Sequence, residues 1–351
     1  MHYEICIMKY AQDGIRFIPT HEHAVVHGGV PVGTYNVRYS DAIGFFLERR
    51  ENFTLPAKLF GKIEKRADRI VHTFEQRENP TGVLLSGEKG CGKTELARVL
   101  SLRLLDKGVP TVLVDSPFIG SNFYEFVAGL GGAVVIFDEF EKIYSRDEQE
   151  EILTLFDGVY RSKNLFIVTT NSVHRIESNM LNRPGRFYYH YDYKGLDADA
   201  IREYCTHNGL EDDVIDEVVN ISTLFYAFSF DMLRAIVEEV NRFGERPNEV
   251  IEHINARPSN SHSDFCAYGV TIRSKEGEIL EENEQAFSVP YLTREYCRWL
   301  VQDDEEGKAV TFSPRGGKRS KNGTFIYTAE TGETMEIRPD KSFFDFREIA
   351  C

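Results

Sequence analysis

Apolar and polar residues follow two different periods along the chain, and the changes between them divide it into segments. Over residues 1–50, short runs such as YEICIMKY and YNVRYS alternate, and Asp-Gly, Gly-Gly and Pro interrupt them. Alternation with period two predicts strands, and the interruptions predict turns. We therefore expect a β-rich N-terminal module over residues 1–50.

Residues 51–190 combine amphipathic stretches with continuous apolar runs. The segment AKLFGKIEKRADRIVHTFEQ, which follows Pro56, has helical spacing. The remaining pattern predicts strands at 82–86, 110–115, 133–137 and 165–170, and helices near 93–107, 122–130 and 147–160. Continuous apolar strands separated by helices are typical of a parallel sheet covered on both faces. The predicted fold class of this segment is therefore α/β.

The pattern changes twice more toward the C-terminus. Residues 191–256 have helical spacing almost throughout and predict a small helical domain. Residues 257–351 return to short runs such as AYGVTIRS and GTFIYTAE, with Lys-Glu-Gly and Asn-Gly between them. They predict a β-rich C-terminal domain, with one helix near Thr293–Val301.

Composition and charge narrow the class of protein. With 42% apolar and 12% aromatic residues, the chain has enough apolar side chains for packed cores. The formal net charge of −15 weighs against a passive coat on nucleic acid, although it is compatible with a basic channel inside an acidic shell. The six cysteines show no CxxC spacing and predict free thiols in a reducing compartment. Without an apolar run near ~18 residues or signal-peptide features, the sequence predicts a cytoplasmic protein.

The strongest chemical signal is a glycine-rich loop. GEKGCGKT, residues 87–94, matches GxxxxGK[ST] in full and lies between a predicted strand and a predicted helix. Its backbone N–H groups and the helix N-terminus suit phosphate oxygens, Lys93 suits the β- and γ-phosphates, and Thr94 suits Mg²⁺. A glycine turn that binds nothing is the alternative, and the full match weighs against it. The nucleotide-binding residues predicted here are Gly87, Glu88, Lys89, Gly90, Cys91, Gly92, Lys93, Thr94 and Glu95.

Polar side chains follow two of the predicted strands. Asp138 and Glu139 come directly after the apolar run AVVIF, and Asn171 ends the run LFIVTT. Carboxyl ends of parallel strands form the crevice in which α/β sheets bind ligands. Asp138 suits the Mg²⁺ side of a nucleotide site, acting through a water, Glu139 suits the general base, and Asn171 suits the attacking water or the γ-phosphate. An acidic helix start is the alternative for the carboxylate pair.

Two arginines follow in the segment LNRPGRF. Pro and Gly hold Arg183 and Arg186 at a fixed spacing. A guanidinium group suits the charge that develops on a transferring phosphoryl group. The alternative is that either arginine is a surface or packing residue.

Together, these features resemble the AAA+ ATPase family in their order. GEKGCGKT is similar to its Walker A motif, VVIFDE to Walker B, TTN to sensor 1 and RPGR to the arginine fingers; LTLFDGV also matches the family pattern. The resemblance covers Leu59–Asn255 and implies a P-loop core with a helical lid. It implies ATP and Mg²⁺ as ligands, contacts of Phe60 and Gly61 with adenine, and a ring, usually a hexamer.

The RPGR form is similar to that of the AAA clade. It implies that Arg183 and Arg186 act in trans on the nucleotide of a neighbouring subunit. Asp231, at the start of a lid helix, agrees with a clade that lacks the arginine found there in other clades. Phe-Tyr-Tyr after Arg186 departs from the pattern, because an acidic residue is common there. The overall organisation is similar to that of compact AAA proteins from bacteria and their phages.

The family resemblance also gives meaning to the loop that contains DSPFIG. In ring-forming unfoldases this loop faces the central pore and carries an aromatic–aliphatic–glycine motif, and Phe118, Ile119 and Gly120 have that form. An aromatic side chain there would grip a polypeptide through apolar contact. The alternative is that Phe118 packs under the following helix.

Three functions remain open on the sequence. The first is a ring, a homo-oligomer that remodels a polypeptide and has no membrane partner. The second is a nucleic-acid motor or loader, supported by a basic run that also fits a solvated hairpin loop: Arg315, Lys318, Arg319 and Lys321. The third is an assembly protein in which ATP only closes the ring. The sequence favours the first, because of the negative net charge and the Phe-Ile-Gly loop.

Overall fold

The computed structural model describes residues 9–20, 29–157, 162–181, 183–222, 225, 227–251, 253–255, 268–286, 297–301, 308–312, 318–319 and 325–339. Contacts divide the chain into two compact units. The first contains residues 1–209 and 227–234, and the second contains residues 210–226 and 235–351.

The first unit is built on one nine-stranded sheet with helices on its faces. The strands are β1 (Lys9–Asp13), β2 (Arg16–Thr20), β3 (Thr34–Ser40), β4 (Gly44–Arg50), β5 (Thr81–Gly87), β6 (Thr111–Val114), β7 (Val134–Phe137), β8 (Leu165–Thr170) and β9 (Tyr189–Tyr193). The helices are α1 (Ile63–Gln76), α2 (Lys93–Leu105), α3 (Ser121–Ala128), α4 (Phe140–Ile143), α5 (Arg146–Phe156) and α6 (Ala198–His207). The strand order is β1-β2-β4-β3-β6-β7-β8-β5-β9. The predicted α/β fold with a parallel central sheet is confirmed.

Alternating side chains of the central strands enter two separate cores. In β7, Val135 and Phe137 pack on one face, whereas Val134 and Ile136 pack on the other. Both faces are apolar because helices cover both, as expected for parallel strands. This arrangement leaves only the ends of the strands for polar chemistry.

The first four strands continue this sheet. β3 pairs in parallel with β6, with Thr34 opposite Thr111, and the hairpins β3–β4 and β1–β2 extend the sheet outward. Tyr35 and Val37 of β3 are fully buried. The β-rich segment predicted over residues 1–50 therefore contributes its described strands to the same sheet as the central strands. Alternation identifies a strand but does not identify its partner.

The second unit contains helices and antiparallel strands. Its elements are α7 (Asp212–Ser222), the C-terminal part of α8 (Phe230–Phe243), α9 (Pro247–Val250), β10 (Tyr268–Arg273), β11 (Ile279–Ala286), β12 (Cys297–Val301), β13 (Lys308–Phe312), β14 (Lys318–Arg319), β15 (Phe325–Thr328) and β16 (Thr334–Pro339). Five strands form a sheet in the order β11-β10-β16-β15-β14, and β12 pairs with β13. Val270, Ile272, Met335 and Ile337 are buried in its core.

Two predictions for the C-terminal segment, a helix and a basic hairpin loop, can be compared with the structure. The helix expected near Thr293–Val301 is wrong for its described part, because Cys297–Val301 is a strand paired with β13. Its aromatic and branched side chains favour a strand once a partner is present. In the basic run, Lys318 and Arg319 form the strand β14, paired with β15, and so do not lie in the hairpin loop predicted for them. Arg315 and Lys321 lie outside the described residues.

No helix in the described part of the chain has both the length and the apolar character needed to cross a lipid bilayer.

Candidate nucleotide site

The parallel register brings the predicted site residues to one edge of the sheet. Phe137 of β7 lies opposite Val168 of β8, so the following residues, Asp138 and Thr169, are neighbours. β8 in turn pairs with β5, which leads into the glycine-rich loop. Three strand ends that are far apart in sequence therefore share one crevice.

The glycine-rich loop depends on backbone conformations that other residues rarely adopt. Gly87 has φ 125°, and a Cβ placed there would lie 2.1 Å from the Tyr193 carbonyl oxygen. Gly92 is the left-handed N-cap of α2, with φ 96°. The thirteen-residue helix that follows presents its N-terminal N–H groups at the loop. This geometry is the one that phosphate binding at a helix N-terminus requires.

The Lys93 side chain is buried within the loop. Its ammonium donates to the carbonyl oxygens of Gly87 and Glu88, at 2.8 Å for Glu88, and to Asn171 Oδ1 at 3.1 Å. Burial lowers the pKa of Lys93, while nearby groups that include Glu141 oppose that change. The loop therefore holds the Lys93 ammonium group next to the Asn171 side chain.

Glu139 is connected to the same network through Asn171. The Asn171 amide donates to Glu139 Oε1 at 3.1 Å, so Lys93, Asn171 and Glu139 form one hydrogen-bonded chain. The hydrogen bond from Lys142, at 2.6 Å, lowers the pKa of Glu139, with Asn171 contributing less. The carboxylate is therefore ionised at neutral pH, as a general base must be.

The backbone at Glu139 is strained. Among the described residues, Glu139 alone has a positive φ without being glycine, at 50°. Its N–H donates to Thr169 Oγ1 at 2.9 Å, and that hydroxyl donates to Asp138 Oδ1 at 2.5 Å. A left-handed residue costs about 1–3 kcal/mol and is kept where the surroundings fix it. Thr169 therefore holds the Glu139 backbone and the Asp138 carboxylate in place.

A cavity of about 510 Å³ joins the loop to an apolar end. Phe60 and Gly61 line it, together with Ile63, Ala200 and Phe230. The Phe60 ring lies 6.0 Å from the Phe230 ring, in a stacked arrangement. Polar groups at one end and aromatic groups at the other match the two ends of a nucleotide. The predicted residues that line the cavity are Phe60, Gly61, Lys89, Gly90, Cys91, Gly92, Lys93, Thr94, Glu95, Asp138, Glu139 and Asn171.

The first residues of α8 contact the glycine-rich loop. Phe230 N–H donates to the Gly90 carbonyl oxygen at 2.8 Å, and Asp231 lines the cavity. A Cβ on Gly90 would lie 3.0 Å from Asp231 Oδ2. The loop conformation is thus coupled to the first turn of this helix.

Arg183 and Arg186 lie away from the cavity in this chain, and they differ from each other. Arg183 is exposed, and its one hydrogen bond given by the structure is a long one, 3.4 Å, to Asn179 Oδ1. Arg186 is mostly buried, forms an ion pair with Asp157 and donates to the Asn179 carbonyl oxygen. The packing alternative therefore describes Arg186 within a single chain, whereas Arg183 is available to another molecule.

Phe118 packs into the first unit. It is half-buried, and its ring lies 5.2 Å from the Phe45 ring and 5.7 Å from the Phe123 ring. Ile119 also packs against this core. Gly120, with φ 93°, precedes α3. Packing against the core does not prevent an aromatic side chain from also contacting a polypeptide. The role of Phe118–Gly120 in a pore stays a prediction.

Cys91 lies in the loop but is a poor nucleophile. Its side chain is 4% exposed. Burial raises the pKa of the thiol, and Lys93 opposes the rise. Because the thiolate is the reactive form, this position is a small buried residue and not a reactive one.

Glu141 is a site residue that sequence reasoning missed. Its Oε1 accepts from the Asn171 N–H at 3.0 Å, and its Oε2 is buried without a hydrogen-bond partner. The run Asp-Glu-Phe-Glu contained the signal, since a second acidic residue follows two positions after Glu139. Glu141 fixes the backbone from which the Asn171 side chain extends.

Comparison with known proteins gives this site a family. The pattern of the ATPase family associated with various cellular activities (AAA) matches residues 83–193, which contain the loop, both acidic residues, Asn171 and the two arginines. Residues 83–193 belong to the AAA+ ATPase family. The match supports ATPase activity and ATP binding.

Relatives of this AAA+ chain include ATP-dependent zinc metalloproteases. FtsH of Lachnoclostridium phytofermentans is 27% identical over 308 residues, which covers 78% of this chain and 49% of the relative. FtsH of Streptococcus pneumoniae is 24% identical, covering 80% and 45%. FTSH 2 of Arabidopsis thaliana chloroplasts is 24% identical, covering 68% and 37%. The chain spans less than half the length of these relatives.

Proposed function

We propose that this AAA+ chain hydrolyses ATP with Mg²⁺ and uses the energy to remodel a polypeptide within a ring. The hydrogen-bonded chain from Lys93 through Asn171 to Glu139 carries the hydrolysis proposal. It joins the residue suited to the γ-phosphate with the residue suited to activate water. A glycine-rich loop that only binds nucleotide does not require an ionised carboxylate, such as that of Glu139, connected to its lysine through Asn171.

In this proposal, each residue at the cavity has a separate role in ATP hydrolysis. Lys93 binds the β- and γ-phosphates, Asn171 orients the attacking water, and Glu139 accepts its proton. Thr94 and Asp138 offer a hydroxyl and a carboxylate at the same cavity, and oxygen ligands are those that Mg²⁺ prefers. When bound, Mg²⁺ neutralises charge on the phosphate oxygens.

A neighbouring subunit completes the site in this proposal. Neither Arg183 nor Arg186 lines the cavity of its own chain. A hexameric ring of the AAA type would bring Arg183 to the next cavity, where its guanidinium stabilises the charge that develops on the γ-phosphate. Arg186, paired with Asp157, would hold the segment that carries Arg183.

We expect Arg183→Ala to lower kcat for ATP hydrolysis about 100-fold while ATP binding to the chain stays unchanged. Arg175, which is exposed on the neighbouring 3-10 helix, provides the matched control, and Arg175→Ala should keep parental turnover. Mixing Arg183→Ala with Glu139→Gln protein should restore turnover, because each variant supplies the group that the other lacks. Absence of rescue at every mixing ratio would contradict action in trans.

Two observations support a polypeptide substrate, namely the activity for which the relatives are named and the net charge of this chain. The FtsH relatives are named as ATP-dependent proteases, which act on polypeptides. A net charge of −15 is unfavourable for binding nucleic acid. ATP hydrolysis should therefore rise with an unfolded polypeptide and not with DNA. A rise with DNA alone would indicate a nucleic-acid motor or loader, and no hydrolysis under any condition would indicate an ATP-gated assembly protein.

We expect Phe118→Ala to keep basal ATP hydrolysis and to lose its stimulation by an unfolded, fluorescently labelled polypeptide. Phe45→Ala is the matched control, because Phe45 contacts the same ring and contributes packing alone. Both variants should lower the melting temperature, and only Phe118→Ala should lose the stimulation. Equal losses in the two variants would assign Phe118 to packing.

We also propose a cytoplasmic location for the assembly. Two cysteines within the first unit, Cys91 and Cys205, are buried free thiols. Thiols of this kind fit a reducing compartment.

A further inference from the structure

Arg66 lies at the nucleotide cavity, although no sequence motif marks it. It extends from α1, one turn after Ile63, and both side chains line the cavity. Its guanidinium carbon lies 4.7 Å from the centre of the Tyr191 ring and 4.8 Å from that of the Tyr193 ring. Two aromatic faces therefore hold one cation in a fixed place.

Among the described residues, this cation differs from its neighbours on the chain because it forms no salt bridge. Lys62, one turn earlier, pairs with Asp197 at 2.9 Å, and Lys58 pairs with Glu203 at 3.3 Å. Within the described residues, Arg66 is half-buried and forms no salt bridge. The N–H edge of a guanidinium stacked on aromatic rings remains available for an anion with suitable acceptor oxygens.

Tyr193 supplies a second, independent observation. Its side chain is 7% exposed and lines the cavity, and its buried hydroxyl makes no hydrogen bond of ordinary geometry. Burial raises the pKa of this hydroxyl, and the nearby Arg66 side chain opposes the rise. A buried hydroxyl is unfavourable unless a partner completes its hydrogen bonding. A polar ligand in the cavity would provide that partner.

The position of the pair along the cavity identifies the part of the ligand. Lys93 contacts Asn171, at the end where the γ-phosphate would lie. Phe60 and Phe230 form the apolar end, which suits the base. The Tyr193 ring approaches Gly92, the N-cap of α2, where a Cβ would lie 3.9 Å from its Cε1. Arg66 and Tyr193 thus lie between the two ends.

We propose that Arg66 and Tyr193 form a binding subsite for the α-phosphate, the phosphate next to the ribose. The subsite rests on the proposed function, since it requires an adenine nucleotide in the cavity. Arg66 donates to the α-phosphate oxygens, and the Tyr193 hydroxyl completes their hydrogen bonding. The subsite is supplied by the chain's own α1 and β9, so it acts in cis and does not distinguish ATP from ADP.

Titration calorimetry with ATP, ADP, AMP and adenosine tests the subsite. Arg66→Met keeps the unbranched apolar stem and removes the charge. We expect its affinity for ATP, ADP and AMP to fall by the same factor, about tenfold, with adenosine binding unchanged. Arg69→Met, on the exposed side of the same helix, should bind all four ligands as the parental chain does. The equal loss for three phosphates is a result that a general loss of packing does not produce.

Tyr193→Phe keeps the ring beneath Arg66 and removes the hydroxyl alone, so it tests the subsite should Arg66→Met fold poorly. We expect a loss of about threefold for the same three ligands. Unchanged phosphate binding in both variants, or an adenosine loss as large as the ADP loss, would overturn the subsite. If the parental chain bound no nucleotide at all, the proposed function would be wrong, and the subsite with it.

Discussion

Replacing Glu139 with glutamine is expected to stop ATP turnover while ATP remains bound. The substitution keeps the size of the side chain and its hydrogen bond from Asn171, but an amide oxygen is a very weak base. Loss of a positioned general base lowers rates by about 100- to 10,000-fold, and we expect a fall in kcat of about 1,000-fold. The dissociation constant for ATP should change by no more than about threefold. Rapid-quench measurement of phosphate release and calorimetry with ATP give the two numbers.

Glu125→Gln is the control for this substitution. Glu125 is exposed on α3 and is not part of the cavity, so the variant should hydrolyse ATP at the parental rate. Parental turnover in Glu139→Gln would show that another group takes the proton. Glu141 is the first to test then, because its Oε1 contacts the Asn171 backbone and its Oε2 is unpartnered.

The position of the candidate site could be predicted from the sequence because it depends on where strands end. A phosphate loop after β5, two acidic residues after β7 and an amide after β8 lie at one edge in any parallel sheet of these strands. The spacing of Gly, Lys and Thr within GEKGCGKT is fixed by local backbone geometry, which sequence reports directly. The predictions for Lys93, Glu139 and Asn171 rest on this kind of local and topological constraint.

Contacts between segments that are distant in sequence could not be predicted from local patterns. Nothing in the period of β3 shows that it pairs with β6, so the pattern predicted a β-rich N-terminal module without identifying its partner strand. Arg66 carried no motif, and its place between Tyr191 and Tyr193 follows from the packing of α1 on β9. The difference between Arg183 and Arg186 likewise depends on Asp157, which lies on a separate element.

The proposed division of the site between two subunits gives these predictions a shared logic. Lys93, Glu139 and Asn171 belong to one cavity, so their variants should act within the chain that carries them. Arg183 lies outside that cavity and is exposed, so its variant should act on a neighbour. Mixed rings distinguish the two groups, since only losses that arise from different sides of an interface can complement each other.

Replacing Lys93 with alanine is expected to abolish ATP binding at ordinary concentrations. The ammonium provides charge-assisted hydrogen bonds worth about 1.5–3 kcal/mol each, and two of them lost to the β- and γ-phosphates weaken binding about 1,000-fold. AMP, which lacks both phosphates, should be affected far less. Calorimetry with ATP and AMP measures the contrast, and ATP affinity within tenfold of the parental value would contradict the assigned role.

Two further variants separate binding from folding in this test. Because Lys93 also donates to the Gly87 and Glu88 carbonyl oxygens, its removal alters the loop itself, and Lys93→Met retains the buried stem. Lys107→Ala removes a surface cation just past the other end of α2, where it pairs with Glu75, and should bind ATP normally. If Lys93→Met melts near the parental temperature and still fails to bind ATP, the loss lies in the phosphate contact, since an ammonium is all that the cavity has lost.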